Sequence, residues 1–208
     1  MDINLARAWV HTIAGAVAEQ KDRLTWLDSA IGDADHGTNM HRGFTAASAA
    51  LDGLVPDTVG AVLIGTGTML LSFVGGASGP LFGGAFRAVG QTIYTPAATT
   101  QELAEALAAG LAEVTQIGAA VPGDKTVVDA WTPALAAFRH RADAGADLAE
   151  AALAAADAAE EGMRATAPLQ ARRGRASYLG TRSIGQLDPG AASTALIFRA
   201  LADAVTAR

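Results

Sequence analysis

The chain has no cysteine and only two lysines among its 208 residues. The first absence excludes disulfides and thiolate metal sites, and a reducing compartment fits it. Aromatics are also scarce, at 5%, although half of the residues are hydrophobic. Alanine supplies much of that apolar share and is the best helix former, so the composition predicts closely packed helices rather than a sheet. Positive charge is short: 15 basic against 21 acidic residues leave a net charge of −6, which argues against a nucleic-acid partner. Long apolar runs are missing too. The most apolar stretch, Ala61 to Val74, is broken by Gly65 and Gly67 and is too short for a membrane span. The opening Met1-Asp2-Ile3-Asn4 has no basic region followed by an apolar run, so no secretory signal is visible. These absences predict a single cytoplasmic domain over residues 1–208 with no membrane partner.

What is there is helical periodicity. Leu5, Trp9, Ile13, Val17 and Leu24 mark a first helix over Ile3 to Leu27. Further helices are expected over His36 to Leu54, Thr58 to Val74, from about Pro80, Thr99 to Gly118, Thr126 to Ala144, Ala146 to Ala165 and Ala191 to Ala207. The two glycines inside the third could allow close helix–helix approach. The alanine-rich seventh would either pack tightly or form an exposed outer wall.

Four unusual stretches lie between these helices. Asp28 to Asn39 reads Asp-Ser-Ala-Ile-Gly-Asp-Ala-Asp-His-Gly-Thr-Asn. Asp28, Asp33 and Asp35 on one loop would repel each other without a cation among them, and Mg²⁺ typically binds one or two carboxylates plus phosphate oxygens. The plainer alternative has these aspartates capping the next helix. Gly37 and Thr38 fall at that helix's N-terminus, where free backbone N–H groups accept phosphate; His36 could be a ligand or a packed side chain. Gly75 to Gly84 is glycine-rich and contains Ser78 and Pro80, either a tight turn with Ser78 or Gly79 at the cap or an anion cradle. Gly118 to Thr126 superficially resembles a P-loop, but Asp124 separates Gly123 from Lys125 and no strand precedes it. Asp124 is expected to cap the sixth helix, and Lys125 either touches phosphate or is solvated. Arg172 to Asp188 holds four arginines within eleven residues and lacks periodicity. A long ordered loop is expected there, with arginines suited to bidentate phosphate recognition. Asp188-Pro189-Gly190 is a turn signal.

These stretches follow the first, third, fifth and seventh helices. In an all-α, up-down antiparallel bundle of eight helices, alternate connections lie at the same end, so all four should share one rim. Together they suit a nucleotide di- or triphosphate held through Mg²⁺.

Gly32-Asp33-Ala34-Asp35-His36-Gly37, Gly75-Gly76-Ala77-Ser78-Gly79-Pro80-Leu81, Gly123-Asp124-Lys125-Thr126, Arg175-Ala176-Ser177-Tyr178-Leu179-Gly180 and Asp188-Pro189-Gly190 occur in the order of a known family. The chain resembles the L subunits of dihydroxyacetone kinases (DhaL) over nearly its full length. The resemblance implies an eight-helix antiparallel barrel holding ADP or ATP with two Mg²⁺ ions. By position, Asp28, Asp33 and Asp35 would ligate the metals, while His36, Gly37, Thr38, Asn39, Ala77 and Ser78 would line the phosphates. Gly118 and Val127 would lie towards the base, with Arg175, Asp188, Pro189 and Gly190 completing the pocket. The family often has Met at the position of Val127.

The resemblance also implies that the ketose is held on a separate K subunit, so this chain would not act alone and carries no catalytic base of its own. The phosphoryl donor could be phosphoenolpyruvate, through a phosphotransferase-system M subunit, or free ATP; a separate L chain leans towards the first. Other small ketoses such as erythrulose are open as substrates, and self-association as a dimer is open too. The competing readings are a non-catalytic ADP-binding regulator and an all-helical apolar-ligand or scaffold protein.

Overall fold

The computed structural model describes residues 1–207. Eight α-helices account for most of them: α1 Ile3–Ile31, α2 His36–Asp52, α3 Val59–Phe73, α4 Ser78–Gly90, α5 Thr100–Gly118, α6 Val127–Asp143, α7 Leu148–Ala165 and α8 Pro189–Thr206. No β-strand occurs among the described residues, only an isolated bridge between Asp2 and Ala97. None of the described helices is long and apolar enough to cross a membrane. The fold is all-α, as expected.

Each helix packs on its neighbours in the chain, and α8 returns to pack on α1, so the ring closes. Two tryptophans stitch it from inside. Trp9 on α1 donates from Nε1 to the carbonyl of Ile197 on α8 at 2.9 Å, and Trp131 on α6 donates to Leu107 on α5 at 3.2 Å. Edge-on aromatic contacts, Phe44 with Phe86 and Trp131 with Phe198, fill the space between.

The small residues act through distance rather than flexibility. A Cβ on Gly67 would lie 2.5 Å from the carbonyl oxygen of Gly83, and one on Gly60 2.3 Å from that of Gly90, so α3 and α4 meet backbone to backbone. Gly65 meets only a leucine methyl group, at an ordinary 3.8 Å, and is not part of this contact. Alanine does the same for α7, whose inner face is Ala151, Ala152, Ala155, Ala156 and Ala159. Of the two expectations for that helix, tight packing is the one realised.

Several local boundaries differ from the sequence reading. Helix α1 runs one turn further, to Ile31, which puts Asp28 on a helix rather than on the loop. Ala77, not Ser78 or Gly79, precedes the first residue of α4. The left-handed residue ending α5 is Ala119 rather than Gly118. Thr126 caps α6 in a reciprocal box with Asp129, so Asp124 does not. The arginine-rich stretch is not plain loop either: Arg175–Ser183 winds into 3-10 turns, interrupted at Gly180. Three-residue turns carry no 3.6-residue periodicity, which is why the pattern looked irregular.

Candidate nucleotide and metal site

At one end of the ring, the C-terminal ends of α1 and α5 and the N-terminal ends of α2, α4, α6 and α8 surround a cleft of about 570 Å³, a size suited to a small-molecule ligand. This is the rim that alternate connections were expected to share.

The acidic edge is built by geometry around Asp28. Its carboxylate, on the last turn of α1, accepts from the backbone N–H of Asp35 at 2.9 Å and of His36 at 3.2 Å, so the capping role and the candidate metal role fall on the same side chain. Gly32 permits this, since a Cβ there would sit 2.0 Å from Asp28 Oδ1. Ala34, between the other two aspartates, has φ +62°, a left-handed setting unusual for a side chain. The result is that one carboxylate oxygen each from Asp28, Asp33 and Asp35 lies within 4.8 Å of the others. Three converging carboxylates form a hard-oxygen donor set of the kind Mg²⁺ takes. Asp28 is buried, while Asp33 and Asp35 are exposed. Arg175 Nη2 reaches Asp33 Oδ2 at 3.0 Å.

His36 opens α2 and is buried. Its Nδ1 lies 3.1 Å from Ser78 Oγ on α4 and its Nε2 2.7 Å from Ser193 Oγ on α8. Burial holds its pKa below the ordinary histidine value against the opposing pull of Asp28 and Asp35. The ring ties three helix N-termini together. Three of the four N-termini at the cleft have a side-chain acceptor: Asp28 at α2, Thr126 and Asp129 at α6, and Asp188 at α8. Helix α4 starts with none, because Ala77 has no side chain that could accept. The N–H of Ser78, which lines the cleft, is therefore open to an anion.

At the start of α8, Asp188 accepts from Ala191 N–H at 2.7 Å. Burial pushes its pKa up to about 7, with Asp129 adding to the effect and the Ala191 N–H and Lys125 opposing it. Lys125 is neither solvated nor free for a phosphate. It is 1% exposed, and its ammonium donates to the carbonyls of Thr166, Leu169 and Gln186. Burial lowers its pKa, opposed by Asp188 and Asp129.

Twelve of the residues predicted from sequence line this cleft: Asp28, Asp33, Asp35, His36, Ala77, Ser78, Gly118, Val127, Arg175, Asp188, Pro189 and Gly190. Gly37, Thr38 and Asn39 are not among the lining residues. Gly37 packs on α1, where a Cβ would meet the Lys21 carbonyl oxygen at 2.1 Å. Thr38 is exposed. Asn39 is buried, and its Oδ1 accepts from Arg42 at 2.8 Å. Sequence reasoning missed the far, apolar end of the cleft, made by Leu81, Val114, Ile117 and Val128. It also missed Ser193, which sits one turn inside α8 with nothing local to single it out. Ile117 carried a weak signal: it is a large apolar residue beside Gly118 and remains 43% exposed.

The DAK2 domain family matches residues 30–203. The chain is 42% identical to the ADP-binding subunit DhaL of the PEP-dependent dihydroxyacetone kinase of Escherichia coli strain K12, over 93% of each chain. It is 38% identical to the ADP-binding DhaL subunit of the PTS-dependent dihydroxyacetone kinase of Lactococcus lactis subsp. lactis, strain IL1403, over 99% of each. It also matches an L-erythrulose 1-kinase of Mycolicibacterium smegmatis at 37% identity, covering 96% of this chain but 35% of that protein. Among solved structures, the dihydroxyacetone kinase of C. freundii in complex with AMP-PNP and Mg²⁺ superposes with a TM-score of 0.75 at 27% identity, over 98% of this chain and 34% of that one. The chain thus spans about a third of that kinase and almost the whole of the separate DhaL subunits. With the match covering the helices and the loops that converge on the cleft, the chain belongs to the DAK2 domain family and, within it, resembles the separate DhaL subunits.

Proposed function

We propose that this chain is the nucleotide-binding subunit of a dihydroxyacetone kinase, active only with a separate K subunit that holds the ketose. The observation that carries the reading is the placement, in one cleft, of three converging carboxylates, the uncapped N-terminus of α4 and an apolar far end. That combination suits a metal, a polyphosphate and a base. Asp28, Asp33 and Asp35 would hold two Mg²⁺ ions, which when bound offset charge on the phosphate oxygens. The amide and the hydroxyl of Ser78 bind and orient the phosphates, with His36 fixing that hydroxyl. Leu81, Val114, Ile117, Gly118, Val127 and Val128 exclude water around the base. Arg175, now paired with Asp33, is placed to turn to a phosphate oxygen.

The full-length likeness to separate DhaL subunits described as PEP- and PTS-dependent supports phosphoenolpyruvate as ultimate donor, delivered through a phosphotransferase-system M subunit to ADP that stays bound. The likeness to an erythrulose kinase keeps a second small ketose in view. Native mass analysis of the purified protein tests the reading. Co-purified ADP with two Mg²⁺ is expected. A chain that binds neither ADP nor ATP in millimolar Mg²⁺ would refute it, and rapid exchange of bound ADP for ATP would replace the phosphoenolpyruvate route by the ATP-dependent one.

A further inference from the structure

Gly123-Asp124-Lys125-Thr126 borders the cleft, yet its charged groups turn away from it. The Lys125 backbone is left-handed, with φ +64°, and this setting drives the side chain inward. The ammonium donates to Thr166 at 2.8 Å, to Leu169 at 3.2 Å and to Gln186. The Ala167 carbonyl lies at 3.5 Å as well, so four carbonyls surround an ammonium that has three donors. Thr166 and Leu169 precede the four arginines and the turns of Arg175–Ser183, and Gln186 follows them, so one side chain holds both ends. Asp124, also buried, secures the near side. Its carbonyl accepts from the N–H of Arg172 at 3.1 Å, and its carboxylate accepts from Arg173 Nε at 3.3 Å and Val121 N–H at 3.1 Å. Two further bonds close the segment on itself, Gly185 N–H to the Ala167 carbonyl at 2.8 Å and Ala171 N–H to Ser183 Oγ at 2.9 Å. Arg173, Gly174, Arg175 and Ala176, in the middle of this span, form part of the cleft wall.

We propose that Lys125 is a positioning residue that clasps residues 166–186 against the cleft, so that Arg175 stands over a bound nucleoside diphosphate and slows its release. The proposal rests on the nucleotide reading above. Lys125 touches no nucleotide; it acts through the segment it holds, with Asp124 and Arg173 as the outer half of the clasp.

The test compares wild type with Lys125→Met and Arg173→Ala by hydrogen exchange and by the release rate of a fluorescent ADP analogue loaded with Mg²⁺. Lys125→Met should raise exchange across residues 172–184 while α2 and α4 keep their protection. It should speed release a few times, about as much as losing Arg175 itself would, with Mg²⁺ affinity of the nucleotide-free protein changed less than about twofold, since the carboxylates share no partner with Lys125. Arg173→Ala removes only the outer contact and should raise both readouts about twofold. A Lys125→Met chain that melts earlier but releases ADP at the wild-type rate overturns the proposal, because that is what a purely structural lysine does. If Lys125→Met fails to fold, Arg173→Ala decides: unchanged exchange and release overturn the clasp, and a rise in both supports it. If the wild-type chain retains no nucleotide at all, the nucleotide reading fails instead, and exchange at residues 172–184 still judges the clasp.

Discussion

Two short loops in this molecule share a local signature and end up with opposite roles. Gly32-Asp33-Ala34-Asp35 leads into α2 and Gly123-Asp124-Lys125-Thr126 leads into α6. Each begins with Gly-Asp, and each contains one non-glycine residue at positive φ, Ala34 at +62° and Lys125 at +64°. In the first loop the carboxylates of Asp33 and Asp35 are exposed and converge with Asp28. In the second, Asp124 and Lys125 are buried, and their polar atoms bond to the protein itself. A charged group whose partners are all internal holds structure, whereas one left facing a cleft has capacity for a ligand. The backbone kink is the same; the direction in which the charges point differs.

The largest expected effect breaks that comparison most directly. Asp33→Ala should weaken Mg²⁺-dependent ADP binding by about a hundredfold or more, near 2.7 kcal/mol. It should leave unfolding stability within about 0.5 kcal/mol, because its pair with Arg175 is solvent-exposed. Asp124→Ala should show the reverse, losing about 1–3 kcal/mol of stability as the Val121 N–H and Arg173 lose their acceptor. Calorimetric titration and urea unfolding on both variants measure this, and equal effects would erase the distinction between the loops.

A glycine pair sharpens it next. Gly32→Ala puts a methyl group where Asp28 Oδ1 now lies, 2.0 Å away. It should displace that carboxylate and cost about tenfold in Mg²⁺ affinity. Gly123 has open space around its Cα but φ +95°, so Gly123→Ala should cost about 1 kcal/mol of stability with Mg²⁺ binding unchanged. Loss of metal binding in the second variant rather than the first would reverse the assignment.

The third effect is one of pH. Burial raises the Asp188 carboxyl to about 7, far above the ordinary aspartate value near 4. The folded chain therefore holds this proton more tightly than the unfolded chain. Its stabilising contribution is complete below the unfolded value and disappears as pH rises through about 7. Urea unfolding of ligand-free protein between pH 4 and 8 should show this decline, and Asp188→Asn should flatten it. Parallel profiles for the two proteins would mean that Lys125 and the Ala191 N–H already keep Asp188 ionised.

Arg175→Ala is the smallest. Stability should move by less than about 0.5 kcal/mol. Mg²⁺ should bind the ligand-free chain slightly more tightly, since Asp33 loses its competing partner, while ADP leaves a few times faster. Unchanged ADP release would remove the covering role given to this arginine.

Much of the fold could be read from local pattern. The 3.6-residue spacing of apolar residues marked the helices, and helix parity placed four special stretches at one rim, where the cleft is found. Asp28, Asp33 and Asp35 were recognisable because carboxylates so close in sequence cannot separate far in space. Ser193 was not, because its partner His36 lies 157 positions away. The apolar end of the cleft was equally hidden, since Leu81, Val114, Ile117 and Val128 look like ordinary helix residues until α4, α5 and α6 converge on it.

Lys125 marks the limit most clearly. The choice between a phosphate contact and a solvated side chain omitted the outcome that occurred, because four carbonyls between 41 and 61 positions downstream fold over its ammonium. By itself, the sequence determined the helices, their alternation and the residue types brought to one end, all set by spacing along the chain. Only the tertiary structure decided which of those charges face the cleft and which face the protein. Desolvation and long-range hydrogen bonding govern that choice, and both depend on neighbours that adjacent residues do not specify.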